Sequence, residues 1–163
     1  MMADPLSITA SVIAVATLAW QSSKTTYEII DKITGAPDAI THSRSVLLQT
    51  QSTLESLKET LLMGNNSGAF DAVLQKINIR VALELTQRLC DRFTKVIRGV
   101  TSRSIDSKFS KRDRLAVSFR ESSITNFNRQ LGDCQRTISI VLTSITLYDP
   151  HWQAGSVQMA HLT

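Results

Sequence analysis

Charge is missing from one end of this chain. Between Pro5 and Ser23 there is no Asp, Glu, Lys or Arg, while every later stretch of similar length carries some. Proline and glycine are scarce, three and six in 163 residues, so turns are confined to a few places and low-complexity classes are excluded. Aromatics make up 6% of the chain, and β-branched residues do not alternate with period two, which argues against sheet. The two cysteines, Cys90 and Cys134, are too few for a disulfide framework or a cysteine-rich zinc site and read as reduced core thiols. His42, His151 and His161 are scattered and form no metal set with cysteine or carboxylate. No glycine-rich phosphate loop occurs. Nothing in the chain supports an enzyme, a cofactor or a metal.

What remains is an apolar fraction of 42% with 20% charged residues, the balance of a globular chain rather than a disordered one. The length suits one domain with a real core. The neutral N-terminal run is rich in apolar side chains: Leu6, Ile8, Ala10, Val12, Ile13, Ala14, Val15, Ala16, Leu18, Ala19 and Trp20. A secretory leader would need a basic start, and Asp4 makes this one acidic. A constitutive span is disfavoured by Ser7, Thr9, Ser11, Thr17, Gln21, Ser22 and Ser23 within the segment. The residues leave two readings open. One is a core helix apolar on nearly all sides. The other is a helix buried at rest that enters a bilayer when released, led by Leu6, Ile8, Val12, Ile13, Val15, Leu18 and Trp20.

Punctuation divides the chain into long helices. Asp4-Pro5 offers a cap and a first-turn proline, and Gly35-Ala36-Pro37 ends the first helix after about Ile33. A second helix runs from Pro37 or Asp38 to about Leu62, with Ile40, Leu47, Leu54 and Leu61 every seventh residue and Leu57 between. Its apolar face is narrow, which predicts a place at the outside of the bundle. Gly64-Asn65-Asn66-Ser67-Gly68 closes it. A third helix is expected over about Ala69 to Val100, with Phe70, Leu74, Ile77, Val81, Leu85, Leu89, Phe93, Val96 and Val100 on one face. The last helix shows the clearest seam: Ile124, Phe127, Leu131, Cys134, Ile138, Val141, Ile145 and Tyr148, alternating three- and four-residue steps. Asp149-Pro150 ends it. The expected architecture is all-α: four long helices, with a short basic helical segment before the last. The bundle would occupy residues 1–149, and 150–163 a tail or the start of a linker.

That basic segment runs from Arg98 to Arg120. It includes Arg103, Lys108, Lys111, Arg112 and Arg114, opposed only by Asp106 and Asp113, and carries a local charge of +5 in a chain whose total is +4. Exposed basic runs are usually solvated faces. The functional reading is attraction to anionic lipid, which would make Arg103, Lys108, Lys111, Arg112, Arg114 and Arg120 lipid-facing. Nucleic acid fits poorly, because no set of aromatics is placed to stack bases. Ser118 and Glu121 have the spacing of a capping box for the final helix.

Two stretches resemble a known family. Met2-Ala3-Asp4-Pro5-Leu6-Ser7-Ile8-Thr9-Ala10-Ser11-Val12-Ile13-Ala14-Val15 looks like the opening of the fungal HeLo-like N-terminal domain. Lys108-Phe109-Ser110-Lys111-Arg112-Asp113-Arg114-Leu115-Ala116-Val117-Ser118-Phe119 is similar to that family's basic segment before its last helix. The resemblance covers about residues 2–148. It implies a helical bundle at the front of a fungal receptor of the NLR type, followed in cis by a nucleotide-triphosphatase and repeats. It also implies a role in programmed cell death, innate immunity and heterokaryon incompatibility. The N-terminal helix would target and permeabilise membranes after homo-oligomerisation, moving a cytoplasmic protein to the membrane. The chain departs from some relatives in lacking glycines in that helix; Ser7/Ser11 and Ala10/Ala14 supply small residues four apart instead. The contrasting expectation is a non-enzymatic adaptor or oligomerisation module that never enters a membrane.

Overall fold

A computed structural model describes residues 5–33, 35–63, 69–100 and 120–148. Within them lie α1 (Pro5–Asp31), α2 (Asp38–Met63), α3 (Ala69–Lys76), α4 (Ile79–Val100) and α5 (Glu121–Tyr148), with no strand among the described residues. The fold is all-α with four long helices, as the periodicity predicts. Residues 101–119 of the basic segment with the cap at Ser118, the Gly64–Gly68 loop and the tail lie outside the described residues.

The turn between α1 and α2 has the expected chemistry. Gly35 has φ 71°, a left-handed conformation that costs glycine little. The Pro37 carbonyl then accepts from the amides of Ile40 at 3.0 Å and Thr41 at 3.1 Å, and Asp38 places a carboxylate at the positive end of α2.

Each long helix packs on two others: α1 on α2 and α4, and α5 on α2 and α4. The order around the bundle is therefore α1, α2, α5, α4. This corrects the expected outside position of α2, which is one of four equal walls. Its heptad residues Ile40, Leu47, Leu54 and Leu61, with Leu57, are wholly buried, because a narrow apolar stripe is enough to serve two neighbours. Since α2 and α4 lie diagonally, the chain must cross the end of the bundle between them. The short α3 makes that crossing and packs on α1 and α5, with Phe70, Val73 and Leu74 plugging the core beneath it.

A second correction concerns the third helix, which is two helices. The Ile77 amide closes α3 on the Val73 carbonyl, and the Val81 amide opens α4 on the Asn78 carbonyl, so Asn78 stands where helix caps favour it. The break re-phases the residues C-terminal to it. The buried stripe of α4 is Ile79, Leu83, Thr86, Cys90, Phe93 and Ile97, with Ala82 and Leu89 beside it. Val81, expected on the apolar face, is 51% exposed, and Leu85 and Val96 are half-buried.

The core has two apolar halves. One gathers Ile30, Ile40, Leu47, Leu89, Phe93, Ile97, Ile124, Phe127 and Leu131; Phe93 and Phe127 stack there, centroids 3.9 Å apart. The other gathers Val12, Ala16, Leu54, Leu61, Phe70, Leu83, Ile138 and Ile145. Chain order through the two halves makes α1 and α4 parallel, and α2 and α5 antiparallel to them. Between the halves stand three fully buried hydroxyls: Ser23, Thr50 and Thr86. Thr50 and Thr86 donate to their own helix, to the carbonyls of Val46 and Ala82, each at 2.8 Å, so neither hydroxyl is stranded at this waist. Leu54→Ala and Leu131→Ala should each cost about 2–5 kcal/mol in urea denaturation. Leu62→Ala, at an exposed site, should stay within about 0.5 kcal/mol of the parent.

Candidate functional site

The neutral run forms most of α1, and its packing is unlike that of the other helices. Residues that face the core step by three and four: Thr9, Val12, Ala16, Ala19, Ser23, Thr26 and Ile30, all buried. Only Val12 and Ile30 are large and apolar. The rest are alanines and hydroxyl residues, which let neighbouring backbones approach and leave little apolar area to lose. Hydrogen bonds compensate. Thr26 Oγ1 donates to the Ser22 carbonyl at 2.8 Å and lies 3.2 Å from the Cys90 carbonyl and 2.8 Å from Thr94 Oγ1. Ser23 and Cys90 share a contact of 3.5 Å. Thr9 donates to Asp71 of α3 at 3.2 Å.

The larger side chains of the run lie on the flanks and outside. Of the residues expected to lead membrane entry, Val12 alone is fully buried. Ile8, Ile13, Val15 and Trp20 are half-buried against the core, and Leu18 is 47% exposed. Leu6 stands in the first turn, its side chain outside the described residues. The outward face carries Ala10, Ala14, Leu18, Gln21 and Thr25, all exposed and none charged. The helix is thus apolar on nearly all sides without being buried on all of them, because a square bundle shields only the inner half of each wall. Trp20 sits at the edge towards α2. Lys24 Nζ lies 5.2 Å and Lys58 Nζ 5.7 Å from its ring centroid, and its Nε1 is buried without a protein acceptor.

Arg103, Lys108, Lys111, Arg112 and Arg114 lie outside the described residues. Arg120 is exposed at the start of α5, at the bundle end that holds Ile30 and Ile124. The neutral half of α1 occupies the opposite end with Val12 and Ala16. From Val12 to Ile30 along α1 is about 27 Å. A further basic set stands on α4, where Arg88, Arg92 and Lys95, absent from the sequence-based expectations, join Arg98, the first residue of the basic segment, all exposed. Its signal is the i, i+4, i+7 spacing opposite the buried stripe.

Cys90 and Cys134 are buried free thiols. Burial pushes the Cys90 thiol from 9.0 up to about 12; burial also raises Cys134, against a hydrogen bond with Thr86. Both are protonated at neutral pH and poor nucleophiles. No group of His, Cys, Asp or Glu among the described residues could hold a metal ion.

These features define a helical-bundle domain with one wall that is neutral over most of its length. Residues 3–160 match the family described as pigment biosynthesis cluster protein PigL N-terminal, and the chain belongs to that family. This is a fungal N-terminal domain family. No curated protein and no solved structure matches the chain.

The thiol geometry gives a pH test. Folding raises the Cys90 pKa, so its contribution is complete below the free thiol's range and is lost as pH climbs from 9.0 towards 12. Urea midpoints should fall between about pH 8 and about pH 10.5, and Cys90→Ala should flatten that slope. Iodoacetamide should leave both thiols unmodified in the folded protein at neutral pH and label them in urea.

Proposed function

We propose that this is a non-enzymatic effector domain that acts at membranes through the neutral half of α1 once the protein self-associates. The observation that carries the reading is the pairing of two properties in one helix. The wall with no charge over Pro5 to Ser23 is also the wall whose core seam is mainly alanine and hydroxyl residues. Freeing the whole of α1 uncovers two buried large apolar side chains, Val12 and Ile30, each worth ~1.5–3 kcal/mol, together with the half-buried Ile8, Ile13, Val15, Trp20, Tyr27 and Ile29 and, just past its end, Ile33. Freeing α5 would uncover Ile124, Phe127, Leu131, Ile138, Val141 and Ile145. Against a total stability of ~5–15 kcal/mol, release of α1 is the smaller of these losses in fully buried side chains, and lipid or a second copy can offset it.

No described helix is long and apolar enough to cross a membrane. The mode that fits α1 is entry into the interfacial layer, or a shared assembly of several copies, rather than a lone span. The likeness to HeLo-like domains supports a cell-death role in fungal non-self recognition, with a triphosphatase and repeats in cis and a cytoplasmic resting state. A second reading, an adaptor that binds a partner and never meets lipid, is favoured by Ile140 and Leu147, 58% and 67% exposed on α5.

Dye release from vesicles by chemically dimerised protein tests the first reading. Leu18→Glu and Ala14→Glu place charge on the exposed face, so thermal stability should hold within about 0.5 kcal/mol while dye release is abolished. Val12→Glu puts the charge in the core and should unfold the domain. Absence of release by the dimerised parent protein would leave the adaptor reading standing; release undiminished by both surface charges would remove α1 from the mechanism.

A further inference from the structure

The described arginines divide into two groups. Arg44 pairs with Asp31 at 3.2 Å, Arg80 with Glu84 at 3.0 Å and Arg136 with Asp133, while Arg129 donates to Asn126 at 2.7 Å. Arg88, Arg92, Arg98 and Arg120 make no ion pair among the described residues, and all four lie on α4 from its middle onward or at the start of α5. Lys95 joins them. Arg88, Arg92 and Lys95 stand at i, i+4 and i+7 on the side of α4 opposite Thr86, Cys90, Phe93 and Ile97, so their side chains form one outward row about 10 Å long. Arg98 stands one turn on, at the edge of the row towards α1. Asp91 is the one acid on this half of the helix.

We propose that this row on α4 is a docking surface for an anionic phospholipid bilayer, used by the intact bundle with α1 in place. Three features choose the occupant. The row is on the convex outside of a helix, where long flexible side chains meet a plane better than they enclose a strand. Arg88, Arg92 and Lys95 outnumber the neighbouring Asp91 three to one and make no ion pair among the described residues, so the row carries net positive charge towards a negative surface. No aromatic of α4 faces outward beside them: Phe93, the aromatic residue of this helix, is 3% exposed and stacked on Phe127 in the core, so a single-stranded nucleic acid would find no stacking platform there. Docking of this kind is independent of the role given to α1. It belongs to the resting monomer, whereas the action of α1 is read as dye release by assembled protein, so each can fail without the other.

Co-sedimentation of the full chain with vesicles tests it. Vesicles of phosphatidylcholine with phosphatidylserine should retain the protein, and phosphatidylcholine alone should not. Retention should weaken as salt rises, because exposed charges are screened. At ~1 kcal/mol per basic residue near the surface, the triple variant Arg88→Gln, Arg92→Gln, Lys95→Gln should bind about a hundredfold more weakly. A charge-matched triple, Lys76→Gln, Arg80→Gln, Arg136→Gln, changes exposed residues elsewhere and should bind within about threefold of the parent. Equal losses in both triples would mean that net charge alone governs binding and would overturn the proposal. So would retention on phosphatidylcholine alone, or a single-stranded DNA oligonucleotide that binds more tightly than the anionic vesicles and depends on the same three residues.

Discussion

The contact between α1 and α4 is what the rest of the molecule is arranged around. It joins two parallel helices, and its buried centre is polar: Ser23 beside Cys90, Thr26 beside Thr94. Small side chains permit the approach, and hydroxyl bonds satisfy what the approach desolvates. Such a contact holds register well. Apolar cores are strong but tolerate sliding; a hydroxyl bonded across to one partner penalises any shift of a turn. The bundle thus combines three walls held by bulk with one held by fit.

Much of this architecture could be read from residues alone, and the exceptions share a cause. The seam of α5 emerged intact because its apolar residues are large and its remaining positions polar, so contrast was high. The heptads of α2 emerged for the same reason. In α1 the helix itself was legible, but the side it turns inward was not. With apolar or small residues all round, hydrophobic periodicity has nothing to distinguish, and the true seam runs through Thr9, Ala16, Ala19, Ser23 and Thr26. The interruption at Ile77-Asn78 was hidden because Phe70, Leu74, Ile77, Val81 and Leu85 keep helical spacing straight through it. Only the capping preference of Asn78 hinted at a new start. The cations of α4 were overlooked because Leu89, Cys90 and Phe93 interleave with them, so in linear sequence they form no run.

The two surfaces of interest sit at opposite ends, and the division matches that of the core. The half centred on Ile30, Phe93 and Phe127 exposes Lys32, Arg88, Arg92, Lys95, Arg98 and Arg120, interspersed with Glu28, Asp31, Asp38, Asp91 and Glu121. The half centred on Val12, Leu61 and Ile145 exposes Leu18, Leu62, Met63, Val81, Ile140 and Leu147. Residues from Thr137 to Tyr148 of α5 carry no charge either, so neutrality extends to two diagonal walls at that end. With the uncharged walls of α1 and α5 at one end and the α4 cations towards the other, the molecule presents different surfaces to a membrane or to a second copy of itself. The family assignment supplies the fungal setting, and this polarity supplies what the domain has to work with there.

Trp20 gives the protein a signal of its own. Its indole lies near the ammonium groups of Lys24 and Lys58, with Nε1 shielded at the border of α1 and α2. Of the two tryptophans it alone lies among the described residues. Its emission colour therefore depends on whether these two walls stay together: water reaching Nε1 would redden it, and hydrocarbon would shift it towards the blue. Departure of α1 into solvent and departure into lipid would thus be distinguishable by intrinsic fluorescence, without any attached dye, once Trp152 is replaced by Phe.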